Sequence, residues 1–280
     1  MAVRGAAAVV AAALGLTGCL GGAPPLGSVI DRAPVELVGT PFHPQTALQC
    51  GPAALATVLE DSGVRGAGPE ALSDRLFLPE RGGSLQAEML ATARHHGRVP
   101  VRLAGNMQAI ADALAGGDPV LVLQNLGTPW TPVWHYAVVV ALRPDAETVI
   151  LRSGRERRRH EPAADFMRSW SLAGRWAFVA APPERIPAFA DVRGWLTAAA
   201  PAESAGQLDL ALAAYEAAVA RWPEAALAHA ARGNALHARG DVTAARAAWR
   251  AALERDPDLK AVRDNLAATA DGSPEPTGGM

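Results

Sequence analysis

The chain has 280 residues, half of them hydrophobic, and a formal net charge of −2. This length predicts two domains, or one domain and a smaller module, and the apolar fraction is sufficient for a buried core. The near-zero net charge excludes a chain-wide electrostatic attraction to nucleic acid. Lys260 is the only lysine, so the many arginines reflect a coding bias and an arginine cluster is weak evidence of a binding surface.

The first residues have the pattern of a secretory signal peptide. Arg4 precedes an apolar run over residues 6–16, which is too short to span a bilayer comfortably. The run ends Leu16-Thr17-Gly18-Cys19, which resembles the lipobox of bacterial lipoproteins. The resemblance implies that residues 1–18 are removed and Cys19 is acylated. An ordinary cleaved signal or an uncleaved anchor is the alternative.

The same resemblance predicts a location. Leu20, rather than an acidic residue, follows Cys19, which in this class implies a lipid-anchored protein at the bacterial outer membrane, facing the periplasm. Residues 19–35 are rich in Gly and Pro and are predicted to be a tether.

Cys50 stands directly before Gly51-Pro52 and a run of residues with helical periodicity. Pro52 suits the first turn of a helix, so Cys50 is expected at or just before a helix N-terminus, where thiolate is favoured over thiol. If Cys19 carries lipid, Cys50 is the only thiol of the mature chain and a disulfide framework is excluded. Cys50 is therefore the candidate nucleophile; the alternative is a small buried hydrophobic residue.

Short helices and then short strands are predicted after the Cys50 helix. The helices cover 69–78, 85–96 (with Ser84 as N-cap) and 106–114, and the strands cover 119–123, 133–142, 148–152 and 175–180, with a hairpin turn at 144–146. Helices followed by antiparallel strands predict an α+β domain over residues 36–181. Residues 182–191 have the composition of a linker.

The remaining sequence repeats with a period of 34 residues. The matching pairs are Gly206 with Gly240, Ala211 with Ala245, Tyr215 with Trp249, Ala218 with Ala252 and Pro223 with Pro257. This pattern resembles the tetratricopeptide repeat. It predicts an all-α module over 192–270 that binds a protein partner, followed by a disordered tail over 271–280. Two unrelated alanine-rich helical hairpins are the alternative.

A thiolate nucleophile needs a base, and His135 is the candidate. It opens the apolar strand His135-Tyr136-Ala137-Val138-Val139-Val140, so it can face a cleft while the strand stays in the core. A satisfied core histidine is the alternative.

The residues around Cys50 and His135 together resemble a family. Gln45, then Cys50-Gly51-Pro52-Ala53-Ala54, then His135-Tyr136-Ala137-Val138-Val139 is similar to the bacteriocin-processing (double-glycine) peptidases, which are papain-like cysteine peptidases. The resemblance covers residues 36–181. It implies that Cys50 is the nucleophile, His135 the base and Gln45 the oxyanion-hole residue, with Gln49 as a competing candidate.

The third residue of the family's catalytic set departs from the pattern. An Asp or Asn should end the strand after the histidine strand and orient the imidazole, but here Ser153 occupies that position. A serine hydroxyl can accept a hydrogen bond from the ring but supplies no charge to stabilise an imidazolium. Asp145, the nearest carboxylate, lies in the turn at the far end of that hairpin.

Three other features can be explained either by a structural role or by a function. The run Arg155–His160 is interpreted as a solvated strand edge rather than a site for an acidic peptide or lipid headgroups. His95 and His96 lie near a helix end and lack the further ligands of a metal site. Trp130 and Trp134 flank the approach to His135 and line a substrate cleft or pack in a loop.

The sequence therefore predicts a lipid-anchored envelope cysteine peptidase of papain-like fold with a short tetratricopeptide module. Its partners are a peptide or protein substrate, a protein bound by the repeats, and the membrane; no cofactor, metal ion or nucleic acid is expected. The rivals are a catalytically inactive peptide-binding protein of the same fold, an amidase acting on peptidoglycan stem peptides, and a repeat-based assembly factor. The second rival fits poorly, because cell-wall enzymes of that type normally have Asp before the cysteine and Ser-Gly after it.

Overall fold

A computed structural model describes residues 24–32, 35–44, 49–76 and 84–269. The predicted signal peptide, Cys19, Gln45 and the predicted tail over 271–280 lie outside these ranges. None of the helices within them is long and apolar enough to cross a membrane.

The described residues form eleven α-helices and six β-strands. In chain order these are α1 (Leu26–Val29), α2 (Cys50–Asp61), α3 (Pro69–Leu76), α4 (Gln86–His95), β1 (Val99–Arg102), α5 (Met107–Ala115), β2 (Val120–Asn125), β3 (Trp134–Arg143), β4 (Thr148–Ser153), β5 (Glu156–Pro162), α6 (Ala163–Leu172), β6 (Ala177–Ala181), α7 (Val192–Ser204), α8 (Leu208–Arg221), α9 (Ala226–Ala238), α10 (Val242–Arg255) and α11 (Lys260–Ala268).

The six strands form one antiparallel sheet in the order β1-β6-β2-β3-β4-β5. Successive side chains along β3 point to opposite faces of the sheet. Tyr136 and Val138 belong to the apolar cluster that includes α2, whereas Ala137 and Val139 belong to the cluster that includes α5 and α6. The sheet is thus covered on both faces, which is the α+β architecture expected from the sequence.

Helices α7 to α11 follow the sheet, each contacting the next. The indole of Trp195, which is fully buried, donates from Nε1 to the Ala214 carbonyl at 2.7 Å. Buried residues of these helices, including Tyr215 and Trp249, belong to the same apolar cluster as Val99 and Val101 of β1. Whether these helices are tetratricopeptide repeats stays a prediction.

Two segments predicted to be connectors make specific contacts. In residues 182–191, Arg185 pairs with Asp118, and Ile186 and Ala190 are buried. In residues 19–35, the buried Leu26 donates its backbone N–H to both carboxylate oxygens of Glu147, at 2.9 and 3.1 Å. The division of the chain into domains is not tested by these contacts and stays a prediction.

The structure contains four elements that were not predicted as such from the sequence: α1, β1, β5 and α6. It also corrects one predicted cap. The N-cap of α4 is Leu85, and no side chain caps that helix. Ser84 lies instead against Gly51, and its carbonyl accepts the Tyr136 hydroxyl at 3.1 Å.

Candidate active site

Cys50 is the first residue of α2 and its thiol is free and partly buried. The helix begins there because Pro52 fits its first turn, and Ala53 donates its N–H to the Gln49 carbonyl at 3.0 Å. The apolar side of α2 packs on the sheet, so the helix N-terminus is held next to strand β3. The positive end of the helix dipole therefore acts on the thiol.

Tyr136 and Ser84 surround the start of this helix. Burial raises the pKa of the Tyr136 phenol, and the negative charge of the Cys50 thiolate raises it further. A Cβ atom at Gly51 would lie only 2.7 Å from Ser84 Cβ and closer still to Ser84 Oγ. Only glycine after the cysteine leaves room for Ser84 in this position.

His135 is the second residue of β3, and Ser153 is the last residue of the neighbouring strand β4. Their side chains meet, with His135 Nε2 2.8 Å from Ser153 Oγ. This bond occupies one ring nitrogen, and Nδ1 makes no hydrogen bond within the described residues. Ser153 is fully buried, so the ring is held by a partner that water does not displace.

The surroundings of His135 disfavour its charged form. Burial is the larger cause, and the positive charge of Arg159 adds to it, lowering the pKa of His135 to about 4. The ring is therefore neutral at pH 7, where it can accept a proton but its imidazolium form is disfavoured.

Cys50 and His135 are not joined by a hydrogen bond in the described part of the chain. Cys50 packs with the residues of the Tyr136 face, whereas strand alternation assigns His135 to the face of Ala137 and Val139. The two side chains can approach each other only around the end of β3. Catalytic contacts are often long in the free enzyme and shorten when substrate binds.

A buried polar cluster adjoins His135 on its face of the sheet. Gln124 is its cross-strand neighbour on β2, and Gln124 Nε2 donates to Glu161 Oε1 at 3.0 Å and to Ser169 Oγ at 2.9 Å. Burial raises the pKa of the Glu161 carboxyl. This cluster was not predicted from the sequence, although the polar Gln124 directly after a predicted buried strand indicates a polar site there.

The other predicted site residues have these positions. Gln49 is the N-cap residue of α2 and its side chain does not cap the helix. Asp145 is exposed in the turn between β3 and β4 and pairs with Arg143 at 3.1 Å, far from His135. Gln45 and the lipidation residue Cys19 lie outside the described residues.

The structure also shows where the arginine-rich run and the His95-His96 pair lie. Residues 156–160 of β5 are exposed, and Arg158 pairs with Glu36. The His95 and His96 rings meet edge to face at 5.5 Å, and burial lowers the pKa of His96. No group of three or more His, Cys, Asp or Glu side chains suited to a metal ion occurs among the described residues.

The loop between β2 and β3 exposes apolar side chains beside His135. Trp130 is 91% exposed and Trp134 is 54% exposed. The base of the loop is ordered by Asn125, whose Oδ1 accepts the backbone N–H groups of Gly127 and Val133, each at 2.9 Å. The tryptophans are therefore presented by a loop with defined geometry.

The solved structures that match the chain include a distant one. It is a crystal structure from Bacillus anthracis provisionally described as a C39-like peptidase, with a TM-score of 0.44 and 16% identity, covering 53% of this chain and 98% of that chain. No protein-family model matches the chain. No curated protein sequence matches it. At this level of similarity the match identifies neither a substrate nor the catalytic residues.

Proposed function

We propose that the chain is a cysteine hydrolase that cleaves peptide bonds with Cys50 and His135. The observation that carries the proposal is the 2.8 Å bond that fixes His135 to Ser153 at adjoining strand ends, on the strand against which the helix that begins at Cys50 packs. Acyl transfer needs a thiol nucleophile and a base. In this proposal they are the free thiol of Cys50 at the helix N-terminus and the neutral imidazole of His135, which approach each other around the end of β3 when substrate binds.

In the proposed reaction the Cys50 sulfur attacks the carbonyl carbon of a peptide bond. His135 takes the thiol proton and returns it to the departing amine, leaving a thioester on Cys50. Water then attacks the thioester carbonyl while His135 accepts its proton, the C–S bond breaks, and the acid product leaves as His135 returns that proton to the Cys50 sulfur. The negative oxygen of each tetrahedral intermediate is held by the Cys50 backbone N–H and the Gln45 side chain.

A second candidate is a peptide-binding protein that does not cleave. Two observations favour it: a serine stands where a carboxylate would stabilise the imidazolium, and the pKa of His135 is lowered to about 4. A base that is so hard to protonate is far from the value that suits proton transfer at neutral pH.

Thiol labelling separates the two candidates. The protein, with Cys19→Ser so that one thiol remains, is treated with a peptidyl electrophile across pH 5 to 9 as wild type and as His135→Ala, with Cys50→Ser as the control. Rapid labelling at pH 6 that is lost in His135→Ala supports the hydrolase. If the labelling rate instead rises with the ionisation of an ordinary thiol, near pH 8.5, and is unchanged in His135→Ala, the result supports the peptide-binding protein.

We also propose that the mature chain is lipid-anchored through Cys19 at the cell envelope, and that helices α7 to α11 recruit a protein partner as tetratricopeptide-like repeats. The sequences around Cys19 and the 34-residue period support these proposals. Incorporation of labelled fatty acid into the wild type but not into Cys19→Ala tests the anchor. Cross-linking from the exposed Arg250 position on α10, compared with cross-linking from the exposed Arg168 position on α6, tests the partner.

A further inference from the structure

A cleft opens between the edge strand β1 and helix α7, on the side of the sheet away from β3. Its volume is about 470 Å³, and its lining includes Leu90, Arg94, Pro100, Arg102, Arg193 and Pro201. It continues into a second cavity of about 330 Å³ that shares Arg102 and is lined by Asn106, Gln108 and Phe189. Strands β6 and β2 separate this groove from β3, so it is distinct from the candidate active site.

The groove carries an excess of positive charge. Arg94, Arg102 and Arg193 line the first cavity, and none of them makes an ion pair within the described ranges. The one carboxylate of that cavity, Asp191, caps α7 by accepting the Gly194 N–H at 2.7 Å. In the second cavity Asp112 is already paired, with Arg32 at 2.7 Å.

Arg102 is held in place while its outer nitrogens stay available. Its Nε donates to the Ala177 carbonyl at 3.0 Å, and its guanidinium lies 5.1 Å from the centre of the Trp176 ring. Its two Nη atoms make no hydrogen bond in the described structure. Because Nε is hydrogen-bonded and the guanidinium lies against an aromatic ring, the two Nη groups are held in a fixed plane. In that plane they can donate to both oxygens of a carboxylate.

Arg94 is partly buried, and Arg102 is exposed overall but has its Nε bond partly buried; no negative group among the described residues offsets this burial. Burial lowers the pKa of Arg94 and of Arg102, and no carboxylate opposes it at either residue. A partly desolvated charge without a partner is unfavourable. An anion in the groove would supply the missing partner for both.

We propose that this groove binds an extended acidic peptide segment, with its carboxylates on Arg94 and Arg102. The shape and the lining favour a peptide over an isolated anion, because two adjoining cavities form an elongated site and Leu90, Pro100, Pro201 and Phe189 supply apolar surface along it. Sites of this kind occur where two structural units meet. The proposal does not depend on cleavage at Cys50.

The test measures binding of a fluorescent, terminally blocked glutamate-rich peptide to the full chain carrying Cys50→Ser, which prevents cleavage. We expect binding that weakens as NaCl is raised and no binding of the same peptide with glutamine in place of glutamate. Arg94→Gln should weaken binding about tenfold, the effect of losing one charge-assisted contact. Thr197→Trp, which fills the groove from α7, should abolish binding, and Arg168→Gln, exposed on α6, should leave it unchanged.

Three results would overturn the proposal: equal binding of the glutamine peptide, the same affinity in Arg94→Gln and Thr197→Trp as in the Cys50→Ser parent, or binding of inorganic phosphate alone with the same arginine dependence. Arg102→Gln serves as a second variant, with circular dichroism to show that it folds. A failure of thiol labelling at Cys50 would not affect this outcome, so the two proposals can fail separately.

Discussion

The imidazole of His135 is positioned but is poorly suited to carry charge. Ser153 fixes Nε2, yet burial and Arg159 keep the pKa of the ring near 4. A carboxylate at position 153 would supply the negative charge that the serine lacks. An opposite charge at this distance typically changes a pKa by about 1 to 3 units.

We therefore predict that Ser153→Asp raises the rate of Cys50 labelling at pH 6 to 7 by about tenfold, because the histidine pKa moves toward the working pH. Ser153→Asn has the same shape without the charge and is the matched control. The measurement is the second-order rate constant with the peptidyl electrophile, together with the NMR titration of the ring. Equal rates for the Asp and Asn variants would show that charge at position 153 does not limit the reaction.

The lowered pKa of His135 also predicts how stability depends on pH. Between the folded value of about 4 and the unfolded value of about 6.5, the unfolded chain binds the proton more tightly. The contribution of His135 to stability is thus fully present above pH 6.5 and is lost as the pH falls toward 4, by up to about 1.4 kcal/mol per pH unit. Glu161 acts in the opposite direction, because burial raises its carboxyl pKa.

Comparing variants isolates the histidine effect. As the pH falls from 7 to 4.5, urea unfolding should show the wild type losing stability relative to His135→Asn, which cannot be protonated. The comparison is repeated in a Glu161→Gln background to remove the opposing carboxyl. Parallel pH profiles for wild type and His135→Asn would mean that the ring is protonated equally in both states.

At the scale of elements, helix α2 and the Ser84 segment meet at Gly51. Alanine is favoured over glycine within a helix by about 1 kcal/mol, so Gly51→Ala would ordinarily stabilise α2. Here the added Cβ would lie 2.7 Å from Ser84 Cβ, and overpacking of this kind costs about 1 to 3 kcal/mol. We predict that Gly51→Ala lowers the free energy of unfolding and that Ser84→Gly in the same chain restores it.

A urea-unfolding double-mutant cycle measures this coupling. Gly39→Ala is the control, because a Cβ there meets nothing within 4 Å. If Gly51→Ala raised the midpoint, the contact between the two segments would not be tight, and the glycine after Cys50 would need another explanation.

The sequence predicted the elements whose signals are local. The Gly51-Pro52 step placed the start of α2, Asn106 capped α5 by accepting the Ala109 N–H, and short β-rich runs bounded by turn residues placed β3 and β4. Strand β5 was interpreted only as a solvated edge, because exposed arginines hide its pairing with β4. Helix α6 was missed although Ala163, Phe166 and Trp170 recur at helical spacing.

The site was predictable in part for the same reason. Ser153 was placed at the end of the strand after the His135 strand, and the structure sets their side chains in contact. The effect of Arg159 on His135 and the cluster of Gln124, Glu161 and Ser169 arise from strands and a helix that are distant in sequence. Such contacts depend on register and on how the sheet curves, which composition and periodicity do not encode.

At the scale of the whole molecule, the apolar cluster of one sheet face continues into helices α7 to α11. Trp195 is fully buried in this cluster, and Arg185 ties the segment before it to Asp118. A shared core implies that the sheet and the helices unfold together, even though the sequence composition suggested a linker between them.

We predict a single cooperative unfolding transition, and a loss of about 3 to 5 kcal/mol in Trp195→Ala, the usual effect of truncating a buried tryptophan. Far-UV circular dichroism reports the helices, and accessibility of the Cys50 thiol in a Cys19→Ser background reports the sheet side. The two probes should give the same urea midpoint, and Trp195→Ala should lower both equally. Separate midpoints, with Trp195→Ala affecting only the helical signal, would show that the helices form an independent module, and the groove between β1 and α7 would then open and close as the two units move.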